Sequence, residues 1–324
     1  MLPYVKATVL IVTYNHESFI ERAVESALSQ RCDFPYEILI ADDGSSDGTR
    51  ALLDRYGASG DPRLRFFLPE RQLGNYGNHL FIAALAQCRG EYMAWLDGDD
   101  YWTDDGKLQT MVLALETHAE WSAAFHPVDV VRSDSEATIR VMEPPVKKRV
   151  YGFEDLLWSN FIPSSAVVYR RSAIPSLEPY SDFLTLDWVL HLFGARNGGI
   201  GYVDRIMAVY RVHGAGVWSG LPPLKQREEL TAFRDRIPEL FGYDTPRYRR
   251  RMARIWADLA VAEQAAGRRA EARDAARHAL RHARFSFSVL MKLAVAFTLP
   301  TPFLTLFQRV TGGIGRRVRR WSTA

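Results

Sequence analysis

A nearly unbroken run of apolar and β-branched residues at positions 7–14 constrains the fold of this chain more than any other feature. A strand with one face in water alternates polar and apolar residues, and this run does not. The pattern is typical of a strand covered on both faces, as in a parallel sheet. Residues 36–41 and 64–68 are further predicted strands, and apolar residues at helical spacing over 19–28 follow the first one. This alternation predicts a doubly wound, Rossmann-like α/β fold with a mostly parallel sheet and helices on both faces.

Composition and charge limit the size of the core and the cellular location that we expect for this chain. With 324 residues, 47% hydrophobic and 24% charged, it can form one substantial core and an appendage. The first residues lead directly into the first predicted strand without a secretory signal pattern, and Cys32 and Cys88 form neither a disulfide framework nor a metal-ligand spacing. We therefore expect a cytoplasmic protein. Residues 247–324 contain 17 Lys and Arg against 4 Asp and Glu, so an acidic body carries a basic tail.

Polar side chains follow three of the predicted strands where each strand ends. Thr13, Tyr14 and Asn15 follow the first strand, Asp42 and Asp43 the second, and the acidic turn 97–100 a later buried strand. In open α/β sheets, ligands bind beyond the carboxyl ends of the strands. The sequence therefore predicts a ligand site at this edge of the sheet.

The acidic turn places Asp97, Asp99 and Asp100 within four residues. Carboxylates at this spacing raise one another's pKa unless a cation or strong donors neutralise them. A divalent metal bound through oxygen ligands, with positions left for substrate phosphates, is one explanation. The alternative is that Asp97 caps a helix while Asp99 and Asp100 form an ordinary turn.

Four motifs in order resemble the nucleotide-sugar-dependent glycosyltransferases of family 2. They are Thr13-Tyr14-Asn15, the Asp-Asp-Gly-Ser-Ser-Asp-Gly-Thr segment 42–49, the Gly-Asn-x-x-Asn segment 74–78, and the Leu-Asp-Gly-Asp-Asp-x-Trp segment 96–102. The resemblance covers roughly residues 7–215 and implies the GT-A fold. Bacterial members that build surface polysaccharides are the most similar in character.

The resemblance also implies roles for matching residues. Val12, Thr13 and Tyr14 would line the nucleotide base pocket, and Asp43 would accept hydrogen bonds from the base or ribose, although a turn-stabilising role is the alternative for Asp43. Asn75 and Asn78 would approach the sugar nucleotide. Asp97 would reach the ribose or metal. The residues implied to bind a Mn2+ or Mg2+ ion are Asp99, Asp100 and His213, and a structural role is the alternative for His213.

Asp187 is the candidate catalytic residue. It lies at the head of an apolar helical pattern, where a carboxylate can serve only as a cap or a partner of the helix dipole. In the family an acid at this place is the general base that deprotonates the acceptor hydroxyl. The usual Glu-Asp pair is Leu186-Asp187 here, and Asp182 is the second candidate.

Between the acidic turn and Asp187 the sequence predicts several further elements. A helix begins within 103–108, a strand spans 121–131, a polar loop on the acceptor side spans 132–150, and a short helix covers 153–158. We expect the loop to be mobile. We also expect the glycine-rich segment 214–220 to act as a lid.

Residues 1–220 are the predicted GT-A domain, and residues 221–324 the predicted helical, basic C-terminal region. Two Ala-rich helical patterns within 251–284 flank Gly267-Arg268 and predict a helical hairpin that packs on the catalytic domain or on a second subunit, as in a homo-oligomer. Residues 293–307 are apolar but short and interrupted by prolines, and arginines and Trp321 follow them. This tail suits an anionic membrane interface, and a docking helix with a disordered basic end is the alternative.

The expected function is that of a metal-dependent inverting glycosyltransferase. It would move a sugar from a nucleoside-diphosphate sugar, most commonly a UDP-sugar in this family, to a hydroxyl of a glycan or lipid-linked acceptor. We expect no nucleic-acid partner, and a location in the cytoplasm or at the inner face of the cell membrane. The alternatives are a non-catalytic sugar-binding scaffold with the same fold and a nucleotidyltransferase. The latter normally has a Gly-rich phosphate loop where this chain has Thr-Tyr-Asn-His.

Overall fold

The apolar run near the start of the chain forms β1 (Ala7–Thr13) in the computed structural model, which describes residues 4–283 and 286–298. β1 pairs in parallel with β2 (Tyr36–Asp42) on one side and with β4 (Tyr92–Asp97) on the other. Every residue of β1 except Val12 is buried. The prediction of a parallel strand covered on both faces is therefore confirmed.

Two sheets form within the first of two compact units, Met1–Gly216. The larger sheet has the order β3-β2-β1-β4-β10-β6-β11-β9, and its first four strands are parallel. The smaller sheet has the order β5-β12-β7-β8. The remaining strands are β3 (Leu64–Phe67), β5 (Tyr101–Trp102), β6 (Ala123–Phe125), β7 (Val128–Arg132), β8 (Thr138–Met142), β9 (Val150–Tyr151), β10 (Val167–Arg170), β11 (Ile200–Tyr202) and β12 (Ala208–Val212).

Helices cover both faces of the parallel strands, as the sequence predicts. The helices of this unit are α1 (Ile20–Leu28), α2 (Thr49–Ala58), α3 (Asn78–Leu85), α4 (Lys107–Thr117), α5 (Phe153–Leu156) and α6 (Leu186–Asn197). On one face, buried apolar residues of α1 and α4 join Val9 and Ile11 of β1 in the core. On the other face, Phe81 of α3 stacks on Trp95 of β4, with ring centroids 3.9 Å apart. The fold is mixed α/β with a large, mostly parallel sheet.

The single strand predicted over residues 121–131 is wrong. The chain forms β6 in the larger sheet and β7 in the smaller one, with His126 and Pro127 between them. Proline cannot donate a ladder hydrogen bond, which favours a break in the strand at this point. His126 is buried, and its Nδ1 lies 2.8 Å from the Pro127 carbonyl oxygen.

The prediction of a loop throughout residues 132–150 is also wrong in part. β8 pairs with β7 in an antiparallel hairpin, and β9 forms the edge of the larger sheet beside β11. β8 is mostly exposed, and polar residues are compatible with a strand whose outer face is in contact with water. A polar composition predicts exposure here but not the absence of a strand.

The second compact unit, Val217–Ala324, is helical over its described residues. Its helices are α7 (Pro223–Phe241), α8 (Pro246–Ala265), α9 (Arg269–Ala283) and α10 (Phe287–Thr298). α8 and α9 form the predicted hairpin, and Gly267 takes a left-handed conformation (φ +78°) between them. The side chain of Thr245 caps α8 by accepting a hydrogen bond from the Tyr248 N–H. No helix within the described residues is long and apolar enough to cross a bilayer.

The predicted apolar and basic end of the chain lies largely outside the described residues. α10 contains residues 293–298 of the apolar run. Residues 299–324, with most of the expected membrane-binding tail, are not among those described.

Candidate active site

The carboxyl ends of β1, β2 and β4 meet at one edge of the larger sheet. Thr13 of β1 lies opposite Asp42 of β2, and Val12 lies opposite Asp97 of β4. The three polar segments that follow these strands therefore start side by side. Gly98 shows how closely they pack, because a Cβ atom at this position would lie 2.7 Å from Oγ1 of Thr13.

Asn15 joins the loop after β1 to the loop after β2. It adopts a left-handed backbone conformation (φ 54°), and its N–H donates to Ser45 Oγ at 2.8 Å. Its side-chain Oδ1 accepts from the Ser46 N–H, also at 2.8 Å. Asparagine tolerates this backbone region better than most residues. The Thr-Tyr-Asn motif thus has a structural role at its last position, while Tyr14 remains 41% exposed.

Asp42 and Asp43 serve different purposes. Asp42 accepts hydrogen bonds from the Ser45 N–H and from the Arg50 side chain, so it stabilises its own turn. Asp43 accepts a 2.7 Å hydrogen bond from the Leu73 N–H through Oδ1, which fixes the end of β2 to the loop that contains the Gly-Asn-x-x-Asn segment 74–78. Its Oδ2 is buried and has no hydrogen-bond partner in the described part of the protein. Asp43 therefore has one carboxylate oxygen that accepts no hydrogen bond from the described residues.

Asp97, at the end of β4, accepts two hydrogen bonds. Its Oδ1 accepts from Trp95 Nε1 at 2.9 Å, and its Oδ2 accepts from the hydroxyl of Ser164. Burial raises the pKa of Asp97 to about 7, and the negative charge of Asp99 adds to this effect.

Asp99 lies between two histidines. Its Oδ2 accepts a 2.9 Å hydrogen bond from His213 Nε2, and His16 Nε2 lies 3.9 Å from the same oxygen. Burial is the largest single effect and alone would raise the pKa of Asp99, but the hydrogen bond from His213 and the electrostatic effects of His16 and His213 together outweigh burial, and the pKa is lowered. The structure thus brings Asp99 and His213 together, although 114 positions separate them in the chain.

Asp100 points into the protein. It is fully buried, and its Oδ1 accepts a 2.8 Å hydrogen bond from the Arg211 N–H of β12. The Arg211 guanidinium in turn donates to the Asp99 carbonyl oxygen at 2.8 Å. Burial and the charge of Asp99 raise the pKa of Asp100 well above its usual range. The structure therefore does not bring Asp100 into the Asp99–His213 pair, and it ties the acidic turn to the smaller sheet.

The donor atoms of this turn fit a divalent cation. Asp99 Oδ2 and His213 Nε2 are close enough to reach the same ion, and the turn concentrates carboxyl groups that repel one another. Among the described residues there is no group of three His, Cys, Asp or Glu side chains arranged to hold a metal. An ion such as Mg2+ that is held by one or two protein ligands takes its remaining ligands from water or from a bound molecule.

Asp187 lies in the first turn of α6, and Asn160 donates to its Oδ2 at 2.6 Å. Burial raises the pKa of Asp187 to about 6. One turn later on α6, the buried His191 donates through Nε2 to the Ile162 carbonyl oxygen at 2.9 Å and accepts through Nδ1 from the Tyr169 hydroxyl. The segment 160–164 is therefore fixed to α6 at His191, while its two ends hold Asp187 and Asp97.

Asn75 and Asn78 hold the loop before α6. Nδ2 of Asn78 donates to the carbonyl oxygens of Ser181 and Phe183, at 2.8 and 2.7 Å. Nδ2 of Asn75 donates to Asp182 at 2.8 Å. In the structure both asparagine side chains bind protein groups, and Asp182 is engaged with Asn75.

Sequence reasoning did not assign the contacts that His16, Asn160, Ser164 and Arg211 make with the acidic residues. These contacts join residues 27 to 112 positions apart, so no local pattern reports them. One signal for Asn160 and Ser164 is that residues 160–171, a loop followed by a strand, resemble the family's segment near the transferred sugar.

A mostly parallel α/β sheet with an acidic turn at its carboxyl edge defines the class of GT-A glycosyltransferases. The sequence model described as Glycosyl transferase family 2 matches residues 8–177, more than half of the chain. The chain belongs to this family. The fold and family predictions are confirmed.

Relatives and solved structures agree with this assignment. An uncharacterized protein of Mycobacterium tuberculosis is 37% identical over 213 residues, 65% of this chain and 60% of the relative, so the chain spans less than two thirds of that protein's length. The succinoglycan biosynthesis protein ExoO of Rhizobium meliloti is 34% identical over 130 residues, 40% of this chain and 35% of ExoO.

Two solved structures share the fold at low sequence identity. TarS residues 1–349 of S. aureus, in complex with UDP-GlcNAc, superposes with a TM-score of 0.62 at 17% identity and covers 90% of this chain and 89% of its own. The mannosyltransferase PcManGT of Pyrobaculum calidifontis, in complex with GDP-Man and Mn2+, has a TM-score of 0.53 at 19% identity, with coverage of 95% and 85%.

Proposed function

We propose that this chain is a metal-dependent inverting glycosyltransferase that moves a sugar from a nucleoside-diphosphate sugar to an acceptor hydroxyl. The observation that carries the proposal is the position of Asp187. The segment 160–164 links this carboxyl group, through Asn160, to the acidic turn, through Ser164. The segment 160–164 thus holds both the proposed general base and the turn that is proposed to bind the diphosphate.

Asp187 acts as the general base in this proposal. Its pKa of about 6 leaves the carboxylate ionised at neutral pH, yet basic enough to accept a proton. As the carboxylate takes the proton of the acceptor hydroxyl, the hydroxyl oxygen attacks the anomeric carbon. The bond from that carbon to the diphosphate oxygen breaks, and attack from the opposite side inverts the anomeric centre.

The nucleotide occupies the edge formed by β1 and β2. Val12, Thr13 and Tyr14 line the base, and the unpartnered Oδ2 of Asp43 accepts a hydrogen bond from the base or ribose. Asn75 and Asn78 shape this side of the site through the loop 181–183, and Asp97 faces the ribose or the metal. A UDP-sugar is the proposed donor, and the UDP-GlcNAc complex of TarS supports its choice as the first compound to test.

Asp99 and His213 would hold the divalent cation, which when bound supplies positive charge for the leaving diphosphate. Mn2+ and Mg2+ both suit this oxygen and imidazole pair, and the Mn2+ in the PcManGT complex supports testing Mn2+ first. Asp100 keeps the turn in place by binding the Arg211 N–H.

The proposed acceptor is a glycan or a lipid-linked glycan of polysaccharide or glycoconjugate biosynthesis. ExoO, named for succinoglycan biosynthesis, supports this choice of pathway class. Such an acceptor fits an enzyme that works in the cytoplasm or at the inner face of the membrane.

A thermal-shift screen of nucleoside diphosphates and nucleotide sugars, with and without Mn2+, tests the proposal. Ligands that bind only the folded state raise its stability by mass action. We expect one nucleotide to stabilise the wild type only with metal, and Asp99→Ala to lose that effect. We expect Asp187→Asn to keep nucleotide binding but to lose both transfer and hydrolysis of the sugar nucleotide.

The alternative outcomes are distinct. Nucleotide binding without hydrolysis or transfer by the wild type would indicate a non-catalytic scaffold. Release of pyrophosphate from a nucleoside triphosphate would indicate a nucleotidyltransferase. Full activity in Asp187→Asn would show that Asp187 is not the general base, and Asp182 would then be the next residue to replace.

A further inference from the structure

The last described helix, α10, is apolar on both its faces. Val289, Leu293 and Ala296 are buried and pack the helix into the C-terminal unit. A second apolar stripe faces outward. Its exposed fractions are 75% for Phe287, 45% for Leu290, 48% for Met291 and 42% for Phe297. A helix that is apolar all round is normally covered on every side, so this outward stripe indicates a binding surface.

The preceding helix, α9, carries a stripe of arginines on its outer face. Its alanines pack inward, and Arg269, Arg273, Arg277 and Arg281 are all exposed at intervals of four residues. Arg277 lies 3.3 Å from Asp274, whereas the other three have no carboxylate partner among the described residues. Residues four apart lie on one side of a helix, so the positive charges form a line.

The apolar and basic stripes lie next to each other along the chain. α9 ends at Ala283 and α10 begins at Phe287. Leu280, 49% exposed, lies between Arg277 and Arg281 and adds an apolar side chain to the end of the arginine stripe. The two stripes together, residues 269–281 of α9 and the outward side of α10, are called the α9–α10 surface below.

We propose that the α9–α10 surface binds an anionic lipid bilayer, with α10 lying in the interface. Anionic headgroups meet the arginines, while the boundary of the acyl chains covers Phe287 and its apolar neighbours. A second copy of the chain would bring a second line of like charges to the contact. An acidic polymer would neutralise the arginines but leave the apolar stripe in water. Of these three partners, the bilayer is the one that supplies both an anionic layer and an apolar layer.

The described residues of α10 are too few to cross a bilayer, which agrees with a helix that lies on the membrane. Twelve residues extend about 18 Å at 1.5 Å per residue. The hydrocarbon core of a bilayer is about 30 Å thick. This inference depends on the C-terminal helices alone, so it stands or falls independently of the transfer reaction.

Vesicle flotation of the full chain tests the proposal. The vesicles are phosphatidylcholine alone, or phosphatidylcholine mixed with phosphatidylglycerol. We expect the wild type to float only with phosphatidylglycerol and to be released by high salt. Leu290→Asp should weaken binding at least about tenfold, because it replaces apolar contact by a carboxylate at an anionic surface. Circular dichroism checks that each variant retains its helices.

Charge reversal tests the second stripe. Arg273→Glu with Arg281→Glu should weaken binding by roughly 25-fold or more, since each arginine at an anionic surface contributes about fivefold. The matched charge control is Arg31→Glu with Arg55→Glu, whose side chains are 83% and 67% exposed in the first unit. The matched apolar control is Leu113→Asp on α4, where the residue is 55% exposed. Both controls should bind as the wild type does.

Three results would overturn the proposal. The first is a wild-type chain that does not float with anionic vesicles. The second is unchanged flotation of both α9–α10 variants, which would place the membrane contact elsewhere in the chain. The third is a wild-type dimer in light scattering that Leu290→Asp converts to a monomer, because a second copy would then cover the surface.

Discussion

Replacement of Asn160 by alanine should shift the acid side of the pH–activity profile to higher pH. Asn160 donates a 2.6 Å hydrogen bond to Oδ2 of Asp187 and so stabilises the carboxylate form. Burial raises the pKa of Asp187 to about 6, while Asn160 and the Trp188 backbone N–H oppose the increase. Without the Asn160 donor the carboxylate loses a stabilising contact. The pKa of Asp187 should therefore rise further.

The size of this shift follows from the energy of the hydrogen bond. A hydrogen bond to a charged group contributes about 1.5 to 3 kcal/mol, and about 1.4 kcal/mol changes a pKa by one. Because Asp187 is partly exposed and keeps the Trp188 contact, we expect the lower end, a rise of about one pH unit. The acid limb should thus move from about pH 6 in the wild type to about pH 7 in the variant.

The assay is kcat/KM for sugar transfer, measured across the pH range with a fixed metal concentration. Activity should fall as pH decreases through the pKa of Asp187, because the general base must be deprotonated. At alkaline pH the variant should approach the wild type. Ser159→Ala, at the adjoining position, is the control and should leave the profile unchanged. An acid limb that stays in place, or an equal loss of activity at every pH, would refute the reasoning.

Three further predictions concern stability. Asp187→Asn should raise the free energy of unfolding at pH 7 by up to about 3 kcal/mol. The folded pKa of Asp187 is raised to about 6, so ionisation of this carboxyl group destabilises the folded wild type as pH increases from 4 to 6, and asparagine does not ionise. Denaturant unfolding at pH 4 and 7 measures this, and an equal effect of the substitution at both pH values would contradict it. Gly98→Ala should cost about 1 to 3 kcal/mol and weaken nucleotide binding, since its Cβ would lie 2.7 Å from Thr13 Oγ1; an unchanged melting temperature would mean that the turn relaxes freely. Glu37→Gln should lower the free energy of unfolding by about 2 kcal/mol, because the buried Glu37 carboxylate accepts hydrogen bonds from the backbone N–H and the side chain of Arg89. Glu91→Gln, at an exposed ion pair, is the control in the same denaturant unfolding, and an equal loss of stability there would contradict the prediction.

The parts of the fold that the sequence predicts correctly have a local chemical signature. β1 is recognisable because burial on both faces requires apolar residues at every position. The α8–α9 hairpin is recognisable from its alanine spacing and from Gly267. β6 and β7 are merged in the sequence-based prediction because both are apolar, and only Pro127 indicates the break.

The candidate site divides in the same way. Motif resemblance identified Asp99, Asp187 and His213, and the structure brings Asp99 and His213 together. Motif resemblance could not show that Asp100 faces inward toward β12. Asp99 and Asp100 are the same residue type one position apart, but their side chains point in different directions. Nor could motif resemblance show that the side chain of Asn78 binds the loop before α6.

The sequence by itself determined the alternating strands and helices at the start of the chain, the carboxylates at the strand ends and the basic charge of the C-terminal region. These features depend on residue type and short spacing, which a chain displays before it folds. Tertiary structure alone decided which carboxyl groups keep a free oxygen, which are held by Asn160, Ser164 or Arg211, and which apolar face of α10 remains in water. The reason is physical: pKa, hydrogen-bond partners and exposure depend on neighbours brought close by the fold, and those neighbours are distant in the sequence.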